Sequence, residues 1–184
     1  MDGDLSSPVP ARPAADVCGS MERGSMLAMM DSALSRSLAG AVAGVAATVP
    51  MSGVMLGARR LGMLPVLPPE DITDRATARA GAHVDEETSD AMSVVSHLGY
   101  GAATGAAYRL VVPQRLQGMP TGVAYGLAIY AGSYLGWLPA LRLRPHDQGR
   151  RNAPTAVMVL AHAVFGTVLG LASARATRRT VTDA

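Results

Sequence analysis

Four long stretches of the sequence carry no charged side chain, and this feature constrains the fold more than any other. They cover residues 37–58, 91–108, 116–141 and 152–174. About 20 consecutive apolar residues in a helix cross the hydrocarbon core of a bilayer, and a helix satisfies its own backbone hydrogen bonds in lipid. The pattern therefore predicts an all-α integral membrane protein with four transmembrane helices. We place these spans at about residues 37–58, 91–112, 117–141 and 153–174.

Composition favours lipid over water as the surroundings of these helices. Charged residues make up 16% of the chain, against about 25% in an average soluble domain. The alternative is a soluble bundle rich in alanine and glycine, but an exposed soluble helix carries charges on its outer face every turn or two. The net charge of +2 and the single cysteine argue against a strongly basic nucleic-acid surface and an intramolecular disulfide framework.

The sequence divides into three parts. Residues 1–25 are predicted to form a disordered tail, residues 26–175 the membrane domain and residues 176–184 a basic C-terminal tail. After the first span, a proline followed by two acidic residues predicts a short helix over residues 70–80. Arginines divide equally between the two sides of the membrane domain, eight and eight. The positive-inside rule therefore favours neither orientation, and we expect cytoplasmic termini because the C-terminal tail is basic.

Two sequence patterns occur twice, in the same order. L-G-x-L-P-x-L covers residues 61–67 and 135–141, and H-x-x-[Y/F]-G-x-x-x-G covers residues 97–105 and 162–170. Chance similarity between segments rich in small residues is the alternative. In the preferred interpretation, the membrane domain is a tandem repeat of a two-helix unit. Two spans return the chain to its starting side, so the halves are parallel and related by a pseudo-two-fold axis along the membrane normal.

Each predicted span has small residues four positions apart, on one helix face. The glycines at these positions are Gly40, Gly44, Gly101, Gly105, Gly122, Gly126, Gly166 and Gly170. Such faces let helix backbones approach closely in lipid, where no hydrophobic force drives helices together. We therefore predict that these eight glycines pack helix against helix in a tight four-helix bundle. A second strip of small residues is expected on the third span, at Ala128, Gly132 and Gly136.

His97 and His162 are the two histidines well inside the predicted spans. Each lies four residues before the first glycine of a G-x-x-x-G pair and so shares the inward helix face. With Thr48 and Ser52 they form the candidate intramembrane polar site. A histidine pair is suited to passing a proton, sensing pH or holding a metal. The structural alternative is a hydrogen bond to a neighbouring helix, for example through Thr48, Ser52 or Tyr134.

We predict no metal, no cofactor and no catalytic residue. Two histidines without a third ligand make a poor metal site, and the polar stretches at residues 83–87 and 146–147 are better explained as solvated loops. The sequence contains no nucleophile elbow, phosphate-binding loop, dinucleotide fingerprint or HExxH motif. We therefore do not expect an enzyme, and a membrane enzyme acting on a lipid headgroup is the weakest alternative.

Two functions remain after these exclusions. The first is permeation of protons or of a small solute through the paired-histidine site, with dimerisation expected because four helices make a thin wall. The second is a structural or accessory subunit that packs against another membrane protein through its glycine-rich faces. The expected partners are the lipid bilayer and either a second copy of the chain or another membrane protein, and not nucleic acid.

The sequence also resembles the YagU-like small bacterial inner-membrane proteins, a family of unknown function. The resemblance is carried by A-V-A-G-V-A-A-T-V-P-M-S at residues 41–52 and by R-R-L-G at residues 59–62. The dipeptides Leu64-Pro65 and Pro68-Pro69 and the two histidine–glycine segments also belong to it. It covers residues 38–174. It implies a multi-pass protein of the bacterial cytoplasmic membrane with no established reaction or ligand, in a family of which one branch is associated with acid resistance.

Overall fold

The structure is a computed structural model, and it describes residues 14–82, 84–143 and 152–182. Every regular element in these residues is a helix, which confirms the all-α prediction for them. The elements are α1 (Ala14–Arg60), α2 (Pro68–Arg79), α3 (Glu86–Val111), a 3-10 turn (Gln114–Leu116), α4 (Met119–Ala131), a π-helical turn (Gly132–Trp137), α5 (Leu138–Ala140) and α6 (Asn152–Thr182). The short helix expected over residues 70–80 is present as α2.

Two helices extend beyond the spans predicted within them. Helix α1 begins at Ala14, directly after the last N-terminal proline, and so includes part of the segment predicted as a tail. Residues 14–24 contain no proline, so each of them can continue the backbone hydrogen bonding of a helix. Helix α6 likewise continues to Thr182, through most of the segment predicted as a basic tail.

Within the described residues, two helices are long and apolar enough to cross a membrane. They are the segment Ser25–Arg60 of α1, with mean hydropathy 1.6, and the segment Pro154–Arg178 of α6, with mean hydropathy 1.9. Large apolar side chains are exposed along α1, among them Leu38, Val42 and Val49. Helix α4 ends after 13 residues and is too short to meet this criterion by itself. Length and composition thus agree with a membrane location for α1 and α6.

Helices α1 and α3 pack with their backbones in contact. Gly44 lies against Gly101 and Gly40 lies against Gly105, so the two helices run antiparallel through this contact. A Cβ atom added to Gly105 would lie 2.7 Å from the Cα of Gly44, and one added to Gly40 would lie 2.9 Å from the Cα of Ala106. Neither helix can yield there without moving its backbone, so this approach requires glycine.

A similar contact joins α4 and α6. Gly122 lies against Gly166 and Gly170, and Gly126 lies against Gly166 and the carbonyl oxygen of His162. A Cβ atom added to Gly122 would lie 2.8 Å from the Cα of Gly170. The eight glycines chosen from the sequence therefore lie at two antiparallel contacts, one between α1 and α3 and the other between α4 and α6.

The third predicted span is not one continuous α-helix. After α4 the chain forms the π-helical turn Gly132–Trp137, where the backbone N–H of Leu138 donates to the carbonyl of Ser133, five residues earlier. Pro139 accounts for the change, because it has no N–H and its ring collides with the carbonyl four residues before it. The small-residue strip predicted here makes no helix contact, since a Cβ atom added to either glycine of the turn would meet nothing within 4 Å.

The two L-G-x-L-P-x-L segments have different local structures. Gly62 closes α1 in the left-handed conformation, with φ 71°, and the N–H of Met63 donates to the carbonyl of Ala58 at 2.9 Å. This is the usual glycine end of a helix. In the second segment the corresponding glycine, Gly136, lies inside the π-helical turn. The left-handed residue near the second segment is Arg142, with φ 53°, directly after the segment ends.

Helix α2 is tied to its surroundings by three polar links. They are Arg59 to Glu70, Ser89 to Asp74, and Arg79 to the carbonyl of Leu141. The first joins α2 to α1, the second joins it to α3 and the third joins it to the chain after α5. These links hold α2 over the ends of the longer helices.

Alanine at Gly105 is expected to destabilise the contact between α1 and α3. Its Cβ atom would collide with the backbone of Gly44, at a cost of about 1–3 kcal/mol. The matched control is Gly99→Ala on the same helix, where a Cβ atom meets nothing within 4 Å and alanine favours the helix by up to about 1 kcal/mol. Thermal unfolding of the purified chain in detergent measures both variants. Equal melting temperatures would contradict the packing described here.

Asp85 caps the N-terminus of α3 and gives a pH-dependent prediction. Its carboxylate accepts a hydrogen bond from the backbone N–H of Thr88 at 3.1 Å, and hydrogen bonds from Thr88 hold the pKa of Asp85 below its ordinary value of 3.8. Because the folded pKa is depressed, this stabilisation is present above the ordinary value and is lost as the pH falls through the folded value. Asp85→Ala should therefore lower the melting temperature at neutral pH, and the difference from wild type should shrink in acid.

The control for this capping experiment is Asp85→Asn. Asparagine accepts the same hydrogen bond and does not titrate, so this variant should keep its advantage over alanine in acid. An Asp85→Ala effect that is the same at neutral and acidic pH would contradict a titrating cap.

Candidate functional site

A cavity of about 240 Å³ lies between α1, α2, α3, the π-helical turn and α6. Both His97 and His162 form part of its wall, and so does Thr48. Ser52, the fourth member of the predicted polar site, does not, although its neighbour Met51 does. Pockets for drug-sized molecules begin at about 300 Å³, so this volume suits a smaller molecule.

The glycine contacts place the two histidines at this cavity. His97 lies one turn before Gly101 on α3, and Gly101 faces α1. His162 lies one turn before Gly166 on α6, and Gly166 faces α4. Residues four apart share a helix face, so the close approach of each helix pair turns its histidine inward.

His162 is held by its own helix. Only 5% of the residue is exposed, and its Nδ1 lies 2.8 Å from the carbonyl oxygen of Met158. A carbonyl oxygen only accepts hydrogen bonds, so Nδ1 carries a hydrogen and donates it. The rings of Tyr130 and Tyr134 meet the imidazole edge to face, with centroids 5.3 and 6.4 Å away. With Nδ1 committed in this way, Nε2 is the nitrogen left to gain or lose a proton.

His97 has a buried nitrogen without a hydrogen-bond partner. Its Nε2 is shielded from solvent, and no group among the described residues bonds to it. Leaving such an atom unsatisfied costs about 1–3 kcal/mol of folding stability. Other interactions in the fold have to offset this cost. None of Thr48, Ser52 and Tyr134, which the structural alternative named as examples of partners, bonds to this nitrogen. The hydroxyl of Thr48 donates instead to the carbonyl of Gly44, at 2.9 Å.

A second polar group in the wall was not identified from the sequence. The hydroxyls of Tyr100 and Ser133 lie 3.0 Å apart, and Nε1 of Trp137 lies 3.3 Å from the same serine oxygen. Ser133 and Trp137 both belong to the π-helical turn. Two glycines followed by Pro139 were the available sign that the helix is irregular there.

Aliphatic, aromatic and proline side chains make up most of the remaining wall, together with hydroxyls of threonine and serine. The apolar members include Met51, Met55, Ile72, Ile129, Leu138, Met158 and Phe165. No aspartate or glutamate of the described chain lines the cavity. In residues 14–82, 84–143 and 152–182, no three histidine, cysteine or acidic residues lie close enough to hold a metal ion.

The other weak sequence candidates lie partly outside the described residues. His83 and the pair His146 and Asp147 are not described, and neither is the side chain of Cys18. What the cavity offers chemically is therefore two imidazoles, the Tyr100–Ser133 hydroxyl pair and several threonine and serine hydroxyls in a mostly apolar wall. Such a site can bind a small molecule through a hydrogen bond and can hold or release a proton.

Comparison with known proteins gives one match. A model of DUF6789, described as a family of unknown function, matches residues 34–184. No curated protein and no solved structure is similar to the chain at a significant level. The match agrees with the expected family of unknown function, but it does not name the YagU-like proteins. The matched segment contains the whole cavity and both glycine contacts, and the chain therefore belongs to the DUF6789 family.

Proposed function

We propose that this chain is a four-span protein of the bacterial cytoplasmic membrane that binds a small solute or a proton at its paired-histidine cavity and carries it through the membrane. The observation that carries the proposal is that His97 and His162 line one cavity, with Nε2 of His97 buried and unpartnered. Kinship with the YagU-like inner-membrane proteins is part of the same proposal.

The helix lengths support four spans. Helix α3 has 26 residues, about 39 Å at 1.5 Å per residue. Helix α4, the π-helical turn and α5 follow one another without a break from residue 119 to residue 140, which gives about 33 Å if the rise is helical throughout. Both lengths exceed the roughly 30 Å hydrocarbon core of a bilayer.

The glycine contacts support the proposed tandem repeat. In each proposed half, a histidine–glycine helix packs antiparallel against the preceding proposed span, α3 against α1 and α6 against α4, through glycines on both sides. The different structures around Gly62 and Gly136 count against strict equivalence of the two halves. In the proposed repeat, the helix pairs correspond and the connections between the helices have diverged.

The cavity offers imidazole nitrogens as proton acceptors, and no carboxylate of the described residues to hold a cation. Nδ1 of His162 donates to a carbonyl, which leaves Nε2 to exchange a proton. The unpartnered Nε2 of His97 is a second place for a proton or for a hydrogen bond to a ligand. The wall contains no acidic side chain from the described residues, so a multivalent cation would find no carboxylate there.

Proton flux in liposomes tests the histidine pair. The purified chain is reconstituted with a pH-sensitive dye trapped inside, and a pH gradient is imposed. We expect faster dissipation than in empty liposomes, and a loss of about tenfold or more in His97→Asn and His162→Asn, since acid–base groups contribute factors of about 100. Ser52→Ala, at a half-buried position outside the cavity, is the matched control. Flux that is unchanged in the double histidine variant would exclude a proton-carrying role.

Cysteine labelling tests the number of spans. In a Cys18→Ser background, single cysteines replace Gln114 and Arg142, which are both exposed. Four spans put these positions on opposite sides of the membrane, so an impermeant maleimide should label only one of them in intact cells. If α1 and α6 alone cross the membrane, both positions lie on the same side, and both or neither will be labelled.

An accessory role is the second candidate, and the outer face of α1 favours it. Gly53 and Gly57 are four residues apart, and a Cβ atom added to either would meet nothing within 4 Å. Such a pair leaves room for a helix of another protein or of a second copy of the chain. A partner that co-purifies in mild detergent with the wild-type chain, and not with Gly53→Leu, would favour this role. A monomer with full proton flux would count against it.

A further inference from the structure

Arg109 is a buried arginine with unsatisfied donors. It lies in the last turn of α3, only 4% of it is exposed, and neither Nε nor Nη1 has a hydrogen-bond partner among the described residues. Arginine stays protonated in proteins, and a buried charge is stable only when it is paired and hydrogen-bonded. The carbonyl dipoles at the end of α3 favour a cation there, but they leave these two donors without acceptors.

A second arginine meets Arg109 at the same point. Nη2 of Arg36 on α1 donates to the backbone carbonyl of Arg109 at 2.6 Å, and Nε of Arg36 is also buried without a partner. The glycine contact explains the meeting, because Arg36 lies one turn before Gly40 and Arg109 lies one turn after Gly105. Because the two helices are antiparallel, one turn toward the N-terminus of α1 and one turn toward the C-terminus of α3 lead to the same end of the contact.

No carboxylate of the described chain neutralises this pair. The ion pairs found among those residues are Arg59–Glu70 and Arg75–Asp71, both of which involve α2. The adjoining connection supplies Gln117, and its side-chain amide is already used. Its Nε2 donates to the carbonyl of Val112 at 2.9 Å, and its Oε1 accepts from Thr177 at 3.4 Å.

We propose that Arg36 and Arg109 form a binding site for a phosphate-type oxyanion. A tetrahedral oxyanion offers several acceptors, which match the fork of donors on each guanidinium, and its charge balances two neighbouring cations. The site lies where α1 and α3 come together beyond the glycines, away from the histidine cavity, and does not depend on the function proposed for that cavity. The oxyanion is the phosphate of a lipid headgroup or free phosphate, since both present the same chemistry to the arginines.

The experiment measures thermal stabilisation of the full-length chain in a maltoside detergent, which contains no phosphate. One arm adds phosphatidylglycerol, a second adds inorganic phosphate, and chloride at equal ionic strength is the reference. We expect a rise in melting temperature in at least one of the two arms. Stabilisation by the lipid alone identifies the headgroup as the source, whereas stabilisation by inorganic phosphate identifies a free anion.

Three variants assign the effect to this pair. Arg36→Gln and Arg109→Gln should each raise the lipid or phosphate concentration needed for half of the full stabilisation about tenfold, as expected for the loss of a charged hydrogen bond. Arg115→Gln removes an exposed arginine from the adjoining connection and should leave the stabilisation unchanged. If Arg109→Gln does not fold, Arg36→Gln still tests the site, because Arg36 is only half-buried and its replacement is easier to accommodate. The proposal is overturned if neither arm stabilises the wild type, or if Arg36→Gln responds as wild type does.

Discussion

Direct contact between glycine backbones is the interaction on which the other features of this structure depend. At Gly44 and Gly105, and again at Gly122 and Gly166, a single methyl group would overlap the backbone of the neighbouring helix. Such a close approach brings many backbone atoms of the two helices into van der Waals contact. The two contacts therefore fix both the spacing and the register of each helix pair.

The cavity follows from those registers and from one irregular turn. Each histidine lies one turn from a contact glycine, and both histidines line the cavity. Pro139 then interrupts the hydrogen-bond pattern of the chain after α4, and the resulting π-helical turn directs Ser133 and Trp137 toward Tyr100. A regular helix would present different side chains at this level. The Ser133 and Trp137 part of the wall thus depends on a proline outside it.

The sequence was sufficient for those features that depend on spacing within one helix. The eight glycines and the inward faces of His97 and His162 follow from residues four apart, which share a face in any α-helix. The sequence was insufficient where two sequence patterns favour different structures, or where the surroundings of a side chain come from distant parts of the chain. Gly132 and Gly136 have the same spacing as the contact glycines, yet the nearby proline places them in a π-helical turn where nothing packs against them. Ser52 has the spacing of the polar site, but it lies outside the cavity wall.

The same register that places His97 also places the arginine pair, so the two sites are coupled by geometry. From the contact between Gly44 and Gly101, one turn in one direction leads to Thr48 and His97. From the contact of Gly40 with Gly105, one turn in the other direction leads to Arg36 and Arg109. The seam between α1 and α3 therefore has an unsatisfied basic group at each end and glycines between them. Any slip of one helix along the other would therefore displace both groups together.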